Sequence, residues 1–168
     1  MQFHPLTVQA RADTPLGPVR LAASPTGLSG VWFEGQRHEP TAQLHGPGAW
    51  ALGPGHHPVL QEAAHQLQQY LAGERQHFDL PLDLSGGTVF QQSVWRALLQ
   101  IGRGQTISYG MLGRQLGNPS AVRAVGAAVG RNPLSVVVPC HRVLGTDGSL
   151  TGYAGGLDRK RALLTLEN

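Results

Sequence analysis

The 168-residue sequence contains one cysteine, Cys140, within Pro139-Cys140-His141-Arg142-Val143. The thiolate is the nucleophilic form of cysteine, and a neighbouring base and a neighbouring cation both favour it. His141 and Arg142 supply those two residue types, and His141 is the only histidine after residue 85. A lone cysteine is more often a small buried apolar residue than a nucleophile. Against that stand a proline fixing the backbone before Cys140 and the segment Leu150-Thr151-Gly152-Tyr153-Ala154-Gly155-Gly156-Leu157 after it. Glycines around one aromatic ring suit the lining of a pocket. Among thiol chemistries, a phosphatase needs an arginine six residues after the nucleophile, and that position is Thr146. Disulfide exchange needs a second thiol, and there is none. A Cys–His hydrolase stays open. Neighbours on an extended strand point to opposite faces, so contact between Cys140 and His141 needs a turn or a bridging water.

The elements around this motif follow from apolar spacing. Leu134 to Val138 reads as a buried strand that Pro139 ends. Upstream, Thr88-Val89-Phe90-Gln91 has the form of a capping box, with Thr88 at the N-cap and Gln91 at N3. Phe90, Val94, Trp95, Leu98, Leu99 and Ile101 give that helix its apolar face, and Gly102-Arg103-Gly104 ends it. A second helix is expected from Tyr109 to about Leu116, stopped by Gly117. A third follows with Asn118 as N-cap and Pro119 at N1. Two short helices joined by a tight turn read equally as a helix-turn-helix or as an ordinary helical hairpin. The third helix carries Ala121, Ala124, Gly126, Ala127 and Ala128, with Arg123 its only long side chain before Arg131. Small residues serve close helix packing or close approach to a DNA groove with Arg123 as a probe, and both readings stand.

The first half reads as an antiparallel meander: Leu6–Ala10, a turn at Thr14–Pro18, Val19–Ala22, a turn at Ser24–Gly27, then Leu28–Phe33. Residues 35–57 are rich in Gly, Pro and His and read as an irregular connection. Pro58 to Ala72 is helical by its spacing of Leu60, Ala63, Ala64, Leu67 and Leu71, and Gly73 stops it. Phe78–Leu82 is a short extended piece, and Ser85-Gly86-Gly87 is the linker candidate. No run of ~18 apolar residues predicts a membrane span, and the first residues do not have the form of a secretory signal. One cysteine builds neither an internal disulfide nor a multi-thiolate zinc site, so a reducing cytoplasm is the expected setting. His38, His45, His56, His57, His65 and His77 read as surface histidines rather than metal ligands. Residues 1–85 hold four arginines against seven acids, a net of −3; residues 86–168 hold eight arginines and Lys160 against three acids, a net of +6. That split fits a polyanion partner for the C-terminal half, or a solvated basic surface.

The Pro139–Val143 motif, preceded by Asn132-Pro133 and followed by Gly152–Leu157, resembles the O6-alkylguanine-DNA alkyltransferases. Ile107-Ser108-Tyr109, Gly117-Asn118-Pro119 and Ala121–Gly126 match as well, so the resemblance is strong over residues 75–168 and loose before them. It implies an α+β fold: a small RNase H-like sheet-plus-helix domain over residues 1–85, then a winged helix-turn-helix-like DNA-binding domain over residues 86–168. It implies direct-reversal repair of DNA, in which O6-alkylguanine, and in some cases O4-alkylthymine, is flipped from the duplex and its alkyl group moves irreversibly to the protein. Cys140 is then the acceptor, His141 removes the thiol proton through water, and Glu167 orients His141. Tyr109 crowds the phosphate and donates to the base, and Asn132 braces the segment between helix and active site. Arg123 fills the vacated stack; Ser108, Ala121, Ala124 and Ala127 face the DNA. Val143, Tyr153 and the backbone N–H of Ala154 line the base pocket. Some relatives have serine where this chain has Ala154, so a hydroxyl contribution to base binding is not expected here. No cofactor and no metal are implied. The implied partner is double-stranded DNA approached from the minor groove, by a protein that is monomeric in solution.

Overall fold

The computed structural model describes residues 2–40 and 57–168, and these separate into two compact units, Met1–Gly86 and Gly87–Asn168. In the first, β1 (Val8–Ala12), β2 (Val19–Ser24) and β3 (Gly27–Phe33) form an antiparallel sheet in that order. Val8 lies opposite Ala23 and Val19 opposite Phe33, with a register shift at Ala22/Ala23. The first strand starts two residues later than its alternation predicts. Thr7 explains the delay: its N–H and its hydroxyl both donate to the His4 carbonyl, at 2.9 and 2.7 Å, closing a turn before pairing begins. The Ser24–Gly27 turn requires glycine twice over. Gly27 has φ 154°, and a Cβ there would lie 2.5 Å from the Pro81 carbonyl oxygen. That close approach lets Leu28 pair in parallel with Leu82 of the segment expected to be extended.

Helix α1 (Pro58–Leu71) covers the sheet with Leu60, Ala63, Ala64, Leu67 and Tyr70. These recur at the three- and four-residue spacing of one helix face. Its stop is a residue beyond the last helical turn, at Gly73 with φ 79°. Of the histidine-rich connection expected at 35–57, residues 41–56, with His45 and His56, lie outside the described residues.

The second unit begins with α2 (Val89–Leu98), and both halves of the capping box form. The Gln91 N–H donates to the Thr88 hydroxyl and the Thr88 N–H to the Gln91 side-chain oxygen. Val94, Trp95 and Leu98 are its buried face, whereas Leu99 is exposed. Short strand β4 (Ile107–Ser108) leads into α3 (Tyr109–Gln115), capped by the Ser108 hydroxyl. Helix α4 (Val122–Gly130) follows, then β5 (Val143–Leu144) parallel to β4, then α5 (Leu157–Glu167). The Trp95 indole donates to the Ala128 carbonyl at 2.9 Å and fastens α2 to α4. A sheet-plus-helix unit followed by a helical DNA-binding-type unit is the α+β arrangement expected.

Two local expectations are corrected. Asn118 does not cap α4, which starts three residues after Pro119 with Ala121 as N-cap and no side-chain cap. Asn118 is already committed to ending α3. Its N–H bonds the Gly113 carbonyl and that of Gly117 the Arg114 carbonyl, with Gly117 at φ 70°. That is a Schellman motif, and it outcompetes the cap. Leu134–Val138 is not a strand either. It is buried as expected, but it coils: the Val138 N–H bonds the Leu134 carbonyl, and Val136 sits at φ 72°. A β-branched residue at positive φ is a genuine outlier, and surrounding structure must impose it. No helix among the described residues is long and apolar enough to cross a membrane.

Candidate active site

The site is assembled from the segment after α4. Asn132 is 4% exposed and acts as its internal frame. Its side-chain oxygen accepts from the Leu134 N–H at 3.0 Å, and its amide donates to the Val138 carbonyl at 2.8 Å. These bonds replace the ladder that a strand would have given and close the loop onto itself. The same amide donates to Cys140 Sγ at 3.0 Å. Pro139, at φ −80° and ψ 60°, has the geometry of an inverse γ-turn, and the Cys140 N–H bonds the Val138 carbonyl at 2.8 Å. Cys140–Arg142 then forms a single 3-10 turn. The sequence pattern asked for a turn or a bridging water if Cys140 and His141 were to meet, and the chain turns here.

Cys140 is 5% exposed. Burial pushes its thiol up to about 11, against the Asn132 amide, the charge of Lys160 and nearby backbone N–H groups, which pull the other way. The expectation that His141 and Arg142 hold a resting thiolate is therefore corrected. Desolvation of a charge outweighs those neighbours, and the Arg142 guanidinium and His141 Nε2 are both turned to Glu167. Arg142 donates through Nε to Glu167 Oε2 at 2.8 Å, through Nη2 to Oε1 at 3.1 Å, and through Nη1 to the Ile101 carbonyl. It fixes the end of α5 to the end of α2.

His141 is fully buried, and Nε2 lies 2.6 Å from Glu167 Oε1. A carboxylate only accepts, so Nε2 carries the hydrogen. Nδ1 then holds the lone pair, buried and without a hydrogen-bond partner. Burial holds the imidazole below its usual range despite the carboxylate, so the ring is neutral near pH 7. The arrangement gives one protonated thiol, one oriented neutral base and one carboxylate clamped on both oxygens.

Of the other predicted residues Tyr153 meets His141, and the rest lie on β4, β5, α3, α4 and the loop before α5. Val143 is fully buried in β5, whose pairing with β4 brings the start of α3 alongside. The Tyr109 hydroxyl donates to the Thr151 and Gly152 carbonyls, both at 3.3 Å. Its ring lies against Gly126 of α4, where a Cβ would stand 3.8 Å away. Burial, and the charge Cys140 would carry, both raise its pKa. Tyr153 is buried and meets His141 edge-on, with centroids 6.5 Å apart, and Ala154 is half-buried. Ser108 is the α3 cap; Arg123, Ala124 and Ala127 are exposed along α4 and Ala121 is half-buried at its start. Among the described residues no group of three or more His, Cys, Asp or Glu side chains is placed to hold a metal ion.

The sequence reading missed Lys160. It has no solvent exposure, donates to the Val143 and Thr151 carbonyls at 2.6 and 2.7 Å, and is the cation whose charge reaches Cys140. A signal was available: it is the only lysine in a chain whose other twelve basic residues are arginines.

Comparison with known proteins extends the geometry. Residues 89–168 match the family model described as 6-O-methylguanine DNA methyltransferase, DNA binding domain, and residues 8–84 match its ribonuclease-like domain. A methylated-DNA–protein-cysteine methyltransferase of Mycobacterium tuberculosis is 49% identical over 155 residues, covering 92% of this chain and 88% of the relative. One from Methanosarcina acetivorans is 45% identical over 156 residues, covering 92% and 94%. The crystal structure of Mycobacterium tuberculosis OGT in complex with DNA superposes with a TM-score of 0.82 at 46% identity, over 95% of this chain and 91% of that one. The O6-methylguanine-DNA methyltransferase of Pyrococcus kodakaraensis does so at 0.67 and 26% identity, over 97% and 99%.

Proposed function

The chain belongs to the methylated-DNA–protein-cysteine methyltransferase family, and from that premise we propose that it repairs O6-alkylguanine in duplex DNA by moving the alkyl group onto Cys140, once per molecule. The observation that carries the reading is a buried thiol followed in the same 3-10 turn by a buried histidine whose Nδ1 has no hydrogen-bond partner and can take a proton. At pH 7 a thiol at about 11 is four pH units from ionisation, so making the thiolate costs about 5 kcal/mol. Deprotonation is therefore tied to the transfer itself. A water passes the proton from Sγ to His141 Nδ1, and the Glu167 carboxylate stabilises the imidazolium.

The sulfur lone pair forms the S–C bond as the bond between carbon and guanine O6 breaks. The electron pair left on the guanine is met by a proton from the Tyr109 hydroxyl, with the Ala154 N–H near O6. Asn132 holds the sulfur in line, and Val143 and Tyr153 bound the base. The target atom lies inside the duplex, so the nucleotide must leave the stack at a cost of a few kcal/mol. Arg123, exposed near the start of α4, offsets part of that cost by entering the gap from the minor-groove side. Ser108, Ala121, Ala124 and Ala127 let the backbone come close to the DNA, and phosphate contacts give binding without sequence preference. The alkyl-acceptor domain is residues 86–168, and residues 1–85 form a separate N-terminal domain. The product thioether is not reversed by thiol exchange, so each monomer acts once.

The test is to react the protein with duplex carrying O6-methylguanine and to digest and map it. One methyl on the Cys140 peptide, with none on Cys140→Ser, is the expected result. Methyl loss from the DNA without a labelled cysteine overturns the proposal.

A further inference from the structure

Gly102-Arg103-Gly104 reads in the sequence only as the stop of α2, yet in the fold it meets the last turn of α5. Glu167 is the final residue of that helix. Helix ends fray, and the last four carbonyls of a helix have no partner within it. Glu167 nevertheless lies 2.6 Å from His141 Nε2 and is buried. The turn after α2 supplies a hold on this end. Arg103 is half-buried, and its Nη2 donates to the Leu166 carbonyl at 2.6 Å. A guanidinium at a helix C-terminus also meets the negative end of the helix dipole. Gly104, at φ 73°, lets the turn come close: a Cβ there would stand 3.3 Å from the Glu167 carbonyl oxygen. The turn itself is closed twice. The Gln105 N–H bonds the Gly102 carbonyl at 3.1 Å, and the Gly102 N–H donates to the Gln105 side-chain oxygen at 3.2 Å. The Ile101 carbonyl, one residue earlier, takes Arg142 Nη1.

We propose that Arg103 is a positioning residue for alkyl transfer: from a closed turn it grips the last turn of α5 and so keeps the Glu167 carboxylate on His141 Nε2. Arg142 fixes the carboxylate, through both of its oxygens. Arg103 fixes the main chain that carries it. Releasing the Leu166 carbonyl loosens the end of α5 and lets Glu167 leave Nε2. The imidazole hydrogen is then shared between the two ring nitrogens. For part of the time Nδ1 carries it and cannot take the thiol proton. The effect of Arg103 thus reaches the sulfur through Glu167 and His141.

This inference rests on the alkyl-transfer reading, and the experiment separates the two. Single-turnover transfer at pH 7 is measured with saturating O6-methylguanine duplex and with free O6-benzylguanine, in the wild-type chain, Arg103→Met and Arg103→Lys. In parallel, ¹⁵N NMR of the histidine rings reports the His141 tautomer without substrate, its signals identified by their absence from His141→Asn. Arg103→Met should slow transfer about tenfold or more on both substrates, since a small misplacement in a catalytic constellation costs up to about 10²-fold. Arg103→Lys keeps a donor and should stay within about threefold of the wild type. His141 should be a single Nε2–H tautomer in the wild type and a mixture in Arg103→Met. Arg103→Gln, whose amide is too short to reach Leu166, should behave as the methionine variant does and replaces it if that variant does not fold. Loss on duplex alone overturns the proposal, because it makes Arg103 a DNA contact. So do unchanged rates on both substrates, or slowed transfer with the tautomer unchanged. If the wild-type chain leaves Cys140 unalkylated, the functional reading fails instead, and the tautomer comparison still tests the grip on α5.

Discussion

Glu167→Gln changes one atom and removes two functions. The carboxylate accepts three hydrogen bonds: His141 Nε2 and Arg142 Nη2 on Oε1, Arg142 Nε on Oε2. An amide offers one acceptor and one donor. With its oxygen toward the Arg142 Nε, its NH2 faces His141 Nε2, which must then accept. The imidazole hydrogen moves to Nδ1, and the nitrogen that was to take the thiol proton becomes a donor. Loss of a positioned general base costs about 10²–10⁴-fold in rate, so single-turnover methyl transfer should fall by that range. Breaking a buried charge pair costs about 3 kcal/mol, or roughly 6–12 °C in Tm for a chain of this length. Rapid-quench sampling with intact-mass readout gives the rate, and thermal unfolding gives the Tm. A rate within threefold of wild type in a correctly folded variant would refute the tautomer argument.

Asn132→Ala should destabilise the protein by about 2–4 kcal/mol in urea unfolding, because it strands the Leu134 N–H and the Val138 carbonyl in a buried loop; a loss under 1 kcal/mol contradicts its place as the internal frame. Arg123→Ala should leave reactivity toward free O6-benzylguanine unchanged and slow repair of duplex at least tenfold, an amount set by one unstacking penalty of a few kcal/mol; equal losses on both substrates contradict the finger role. His141 has its folded pKa held below the ordinary 6.5. The unfolded chain therefore takes up that proton first, so the stability it contributes is present above about 6.5 and is lost as pH falls through the folded value. The urea midpoint should drop on acidification to pH 5 less steeply in His141→Asn than in the wild type, and parallel slopes would contradict the assignment.

What could be read from the sequence was local. Thr88 and Gln91 form their capping box because both partners lie within four residues, and α1 shows its buried face through spacing alone. The Cys140 motif carried the chemistry for the same reason. Leu134–Val138 was misread because an apolar run is equally a buried strand or a buried coil. The choice is made by the Asn132 side chain and by Val136 held at positive φ, and neither leaves a periodic trace. Asn118-Pro119 carries two end signals at once, a cap for α4 and a stop for α3, and the Gly117 turn decides between them. The protonation of Cys140 was out of reach. It depends on burial and on Lys160, which arrives from a helix beginning seventeen residues away along the chain.

Alkyl transfer of this kind consumes the sulfur of Cys140. A fixed amount of protein is mixed with a large excess of O6-methylguanine duplex, and restored guanine is counted until the reaction stops. We expect a plateau at one guanine per protein molecule, with the thiol no longer titratable. Continued repair past that ratio, or a plateau reached with the thiol intact, would contradict it.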